Sequence, residues 1–72
     1  MFIEVDVIVD WEMGEIKAVK PMYLRYDMIE SVSETKSPTP CTEIELSSRK
    51  TYLVQNSVED VFAQIDSFLA DG

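Results

Sequence analysis

The chain has 72 residues, with 14 acids against six bases and no histidine, for a formal charge of −8 at neutral pH. That length holds one domain, residues 1–72, and the charge repels phosphate backbones and anionic lipid, so neither nucleic acid nor an anionic membrane is an expected direct partner. The lone cysteine, Cys41, excludes an internal disulfide, and the missing histidine removes the commonest transition-metal ligand and the usual Ser/His and Cys/His nucleophile pairs.

Residues 2–9 alternate, with Ile3, Val5, Val7 and Val9 against Phe2, Glu4, Asp6 and Ile8, which is the period of a strand. Asp10 to Glu15, containing Gly14, reads as a turn. Ile16 to Lys20 resumes an extended segment, so residues 1–20 are expected to form an acidic hairpin. Pro21 lacks an N–H donor and marks an edge or a break. Strands are expected within 23–55. Met22 to Tyr26 is aromatic-rich and strand-like, Asp27 to Ile29 suits a tight turn, and Ile29 to Glu34 a short strand. Thr35 to Thr42 carries Pro38 and Pro40 and reads as a loop. Thr42 to Ser47 and Thr51 to Gln55 read as strands of a second hairpin, joined by the polar turn Ser47 to Lys50.

The carboxyl-terminal segment 57–70 carries a helix pattern. Ser57 suits the N-cap, with Asp60 three residues on able to reach back, and Glu59 and Asp60 lie where the helix dipole favours negative charge. Val58, Val61, Phe62, Ile65, Phe68 and Leu69 recur at spacings of three and four. A helix of this length is marginal alone, so its apolar stripe must lie on a sheet. The expected fold is therefore α+β: a small antiparallel sheet of four or five strands with one amphipathic helix packed on one face. Its expected core is Ile3, Val5, Val7, Ile44, Leu46, Val54, Val61, Phe62, Ile65 and Leu69. The exposed edge strands and small core favour a homo-oligomer, a dimer or higher.

Few residues suit catalysis or cofactors. Cys41 has no evident activating base. Asp10, Glu12 and Glu15 surround Gly14 without the spacing of a calcium loop. With only two glycines, no phosphate cradle exists. No enzyme activity, metal or cofactor is expected. No apolar run approaches the ~20 residues of a membrane span, and the amino terminus lacks the basic region of a signal peptide. The expected setting is the cytoplasm of a bacterial host cell, with a phage gene as one source.

Three segments resemble a known family. They are Asp-Met-Ile-Glu-Ser-Val-Ser-Glu at 27–34, Thr-Glu-Ile-Glu-Leu-Ser-Ser-Arg-Lys-Thr-Tyr-Leu-Val at 42–54, and Asn-Ser-Val-Glu-Asp-Val-Phe-Ala-Gln-Ile at 56–65. In order and rhythm, residues 23–69 resemble the FlbD-like family of small flagellar and swarming-motility proteins (the SwrD type), and small phage and prophage proteins of similar pattern. The family's opening Thr-Arg-Leu-Asn-Gly is replaced here by the acidic hairpin, and its Asn-Gly turn by Ser48-Arg49. The resemblance implies a strand, strand, hairpin and helix order and no catalytic residue.

Two function classes lead. The first is an accessory binding protein that modulates or inhibits a larger partner with a basic surface, like phage counter-defence proteins, anti-CRISPR inhibitors and nucleic-acid mimics. Its expected surface comprises Asp10, Glu12, Glu15, Glu30, Glu34, Glu43 and Glu45, with Trp11 or Tyr26 as anchor. The second, implied by the resemblance, is a motility regulator. A third class is sequestration of a small nucleotide between subunits of an oligomer.

Overall fold

The computed structural model describes residues 1–37 and 39–71. Pro38, placed in the loop, and Gly72, placed at the helix end, lie outside the described residues. The chain runs β1 (Phe2–Glu12), β2 (Glu15–Arg25), a single 3-10 turn (Tyr26–Met28), β3 (Ile29–Thr35), β4 (Cys41–Leu46), β5 (Thr51–Val54) and α1 (Val58–Asp71). The five strands form one open antiparallel sheet in the order β2-β1-β5-β4-β3, and with the carboxyl-terminal helix α1 they make an α+β fold.

The first hairpin is longer than the sequence pattern suggested. β1 continues through Asp10, Trp11 and Glu12, and the turn is only Met13-Gly14. Both turn residues have positive φ, +52° and +78°, the combination that a two-residue type I′ turn requires. β2 also runs straight through Pro21. The Tyr26 N–H to Met1 carbonyl bond sets the alternation, and it leaves Pro21 with its nitrogen on the outer edge, where no donor is missed. Register shifts at Ile8/Asp10 and Asp10/Trp11 mark bulges in the distal half.

The second hairpin joins β4 to β5. Arg49 N–H bonds the Leu46 carbonyl at 2.9 Å, Leu46 N–H bonds the Lys50 carbonyl at 2.8 Å, and Arg49 has φ +70°. This is a three-residue loop with its last residue in the left-handed region, a position that favours glycine. The proline-containing loop is shorter than expected, since β3 extends to Thr35 and β4 begins at Cys41.

The sheet coils. β2 and β3 are its two edges, and flat they would stand about 19 Å apart, four strand spacings. Only three residues join them, in a 3-10 turn that rises about 2 Å per residue. At the other end of β3, Thr39 Oγ1 donates a 2.7 Å hydrogen bond to the Gly14 carbonyl in the hairpin turn. Both links require the edges to curl toward each other, and the bulges supply local twist.

The core forms on the concave side from Ile3, Val5, Leu24, Ile44, Leu46, Val54 and Val61, with Val7, Val32, Ile65 and Phe68 half-buried at its margin. Two expected core residues are not in it. Phe62 and Leu69 are 45% and 62% exposed. At 100° per residue they lie about 80–100° round the helix from Val61, beyond the arc that a narrow coiled sheet covers. Ser57 caps α1 as expected, accepting from Asp60 N–H at 3.1 Å.

Among the described residues, β1 has a strand on its second side only at Val7. β5 pairs with it at Val7–Val54, and Gln55 N–H reaches the Asp6 carbonyl at 2.8 Å. Before that point, side chains replace the missing strand. Asn56 Oδ1 accepts from Asp6 N–H at 2.8 Å. Gln64 Oε1 accepts from Glu4 N–H, and its Nε2 donates to the Glu4 carbonyl, both at 2.8 Å. A primary amide presents the same donor and acceptor as a peptide group, so Gln64 continues the ladder from the helix.

Candidate interaction surface

The distal hairpin carries four of the exposed large apolar side chains. Val9, Trp11, Met13 and Val19 are 54%, 43%, 95% and 37% exposed. Asp10, Glu12 and Glu15 are exposed among them. Glu12 stands directly opposite Glu15 across the turn, an unfavourable like-charge pair. Lys17 Nζ lies 3.5 Å from Glu15 Oε2, a solvent-exposed contact that offsets little of that repulsion. The segment thus carries exposed apolar side chains interleaved with carboxylates.

The other sequence-selected residues separate. Tyr26 is half-buried with its ring centroid 5.7 Å from that of Phe68, so the ring packs on the helix. Glu43 and Glu45 pair with Ser33 and Ser31 and alternate with buried Ile44, which puts them on the sheet face away from α1. Glu34 pairs with buried Thr42 and lies on the helix side. Glu30 sits in the bulge between Ile29 and Ser31. The seven acids therefore divide among the hairpin, the outer face and the β3 edge.

Sequence reasoning passed over Val9, Met13 and Val19. The signal at Met13 is the residue type: type I′ turns favour Asn or Asp before glycine, and a methionine there is neither a good turn residue nor a buried one.

Cys41 is half-buried at the start of β4. Burial, and after it the Glu43 carboxylate, pushes its thiol above the ordinary range, which suppresses the thiolate. It borders an open cleft of about 450 Å³ between the β3–β4 end of the sheet and the start of α1, lined also by Glu34, Thr42, Asn56, Ser57 and Val58. Among the described residues, no three Cys, Asp or Glu side chains are grouped to hold a metal ion, and no helix is long and apolar enough to cross a membrane.

No protein-family model, no curated protein and no solved structure matches this chain.

Proposed function

We propose that this chain is a non-enzymatic binding protein that modulates or inhibits a larger protein partner, docking its acidic first hairpin on a basic surface. In size, acidity and lack of evident catalytic groups the chain resembles phage-type inhibitors, counter-defence proteins and nucleic-acid mimics, a likeness of type and not of motif. The observation that carries the reading is the company of Val9, Trp11 and Met13, all exposed, with Asp10, Glu12 and Glu15 on one hairpin. Trp11 supplies the large rigid anchor of a binding hot spot, and the carboxylates supply steering and register. The turn itself favours this reading, because a fully exposed methionine occupies a backbone position better suited to asparagine.

The test is affinity capture of the tagged protein from native host lysate at low and high salt, with mass spectrometry, followed by binding assays on variants. Trp11→Ala is expected to weaken the captured complex by about 30-fold, the scale of a hot-spot truncation. Met13→Asn separates folding from binding: it improves the type I′ turn, so thermal stability holds or rises while affinity falls. Charge reversal at Asp10, Glu12 and Glu15 together should abolish the salt-sensitive part of binding. Undiminished binding with unchanged salt sensitivity in that variant would refute the proposal. Capture of a flagellar component would favour the motility reading, and a bound 260 nm chromophore would favour nucleotide sequestration.

A further inference from the structure

A second surface, independent of the hairpin, lies between β3 and α1. The alternation of the ladder fixes which groups are free along β3. Leu46 N–H bonds the Lys50 carbonyl, so the even-numbered residues of β4 bond β5 and its odd-numbered residues, Cys41, Glu43 and Glu45, bond β3. Their partners are Thr35, Ser33 and Ser31. The backbone N–H and C=O groups of Val32 and Glu34 therefore point outward from an edge strand of the sheet.

α1 runs antiparallel beside this edge. Ser57 and Val58 at its start line the cleft with Glu34 and Thr35 at the end of β3. Phe68 near its end packs on Tyr26, just before β3 begins. One shoulder of the helix is bound to β1 through Gln64. Phe62 and Leu69 lie roughly 140–160° round the helix from Gln64, on the opposite shoulder toward β3, and both are exposed. Since α1 packs against both β1 and β3, the shoulder turned away from β1 lies on the side of the β3 edge with its free hydrogen-bonding groups, and the cleft opens at one end. The charge along this groove is mainly acidic. Neither β3 nor α1 contains a lysine or arginine; Glu30 and Glu34 belong to β3, Glu59 and Asp66 lie within about 80° of Phe62 and Leu69 on the helix, and Lys36 beyond the end of β3 is a base that lines the cleft.

We infer that this groove binds an extended, basic segment of a partner protein, which adds to β3 as a sixth strand. Its main chain bonds Val32 and Glu34, its apolar side chains pack on Phe62 and Leu69, and its lysines or arginines meet the carboxylates. Pro21 on the outer side of β2 removes a donor from the other edge, which leaves β3 as the edge fit for strand addition.

The probe is an acetylated Lys-Val-Lys-Val-Lys-Val-Lys peptide titrated into the full chain and followed by amide NMR and hydrogen exchange. The expected result is saturable shifts and slowed exchange at Val32 and Glu34, with Ser31 and Ser33 already protected before addition. Glu34→Pro removes the outward donor without touching the β4 ladder, and should weaken binding at least about tenfold in a folded protein. Glu34→Gln, which removes only a partly screened charge, should cost about two- to threefold. If Glu34→Pro does not fold, a peptide with N-methylated alternate residues reads the same bonds and should not bind. Trp11→Ala should leave this affinity unchanged, which separates the groove from the hairpin. Binding that survives both backbone blocks, or shifts confined to the hairpin, would overturn the inference. Masking of the Val32 amide on raising protein concentration alone would assign the groove to a second copy and also overturn it.

Discussion

Gln64→Ala tests whether a helix side chain truly completes the sheet. The substitution removes both 2.8 Å bonds to Glu4 and leaves that residue's N–H and C=O facing only solvent. Glu4 is exposed, so water can replace part of what is lost. At a net contribution of about 0.5–1.5 kcal/mol per hydrogen bond, the expected loss is about 1–2 kcal/mol. A domain of this size has about 3–5 kcal/mol in total, so the change is a large fraction. It should lower Tm by roughly 5–12 °C, read by far-UV circular dichroism. Alanine is the better helix former, so propensity works against the expected sign and cannot produce it. Gln64→Glu sharpens the test. Its carboxylate keeps the acceptor for Glu4 N–H but sets a second oxygen against the Glu4 carbonyl. The folded state then favours the protonated side chain and raises its pKa. The deficit relative to the parent should be full above that raised value and should shrink as pH falls toward and below the unfolded value of about 4.3, where the donor is restored. Stability of Gln64→Ala within about 0.3 kcal/mol of the parent would refute the reasoning.

Arg49→Gly should stabilise the second hairpin by up to about 1 kcal/mol, measured by urea denaturation, because Arg49 occupies the left-handed region at φ +70° without the freedom of glycine. Cys41 should react with iodoacetamide at pH 8 more slowly than a free cysteine, with its rate still rising as pH climbs past the ordinary thiol range, since burial and Glu43 both disfavour the thiolate. Glu43→Gln should recover only the smaller share of that rate.

The helix and the second hairpin were the most legible parts of the sequence, because their signals are local. Ser57 caps where its spacing to Asp60 said it would, and Ile44, Leu46 and Val54 point inward as the period of two required. Failures came where the answer depends on what lies across the sheet. The stripe from Val58 to Leu69 is wide enough for a broad sheet, and nothing in it reveals that the strands coil and leave Phe62 and Leu69 uncovered. Pro21 marks an edge or a break in the sequence, and the hydrogen-bond phase of β2 decides for the edge, with its nitrogen turned outward. Leu24, one residue from an exposed tyrosine, enters the core only through its pairing with Ile3. Along the chain the acids suggest one surface. Register divided them among three places.

The two non-glycine residues with positive φ allow a final comparison. Arg49 and Met13 both occupy turn positions that glycine or asparagine would fill at lower cost. At Arg49 the choice brings a soluble side chain and nothing unusual beside it. At Met13 the same backbone cost is joined by an apolar side chain that is 95% exposed, by Glu12 opposing Glu15, and by Trp11 left partly in water. Tolerance of a poor turn residue explains the first case and not the second. Local choices that disagree with folding, gathered at one place, are the ground on which the docking role is proposed. Thr39 holds that place steady, since its bond to the Gly14 carbonyl ties the turn to the loop after β3. The apolar tip is therefore carried on a braced hairpin, which would lower the ordering entropy of the docking proposed above.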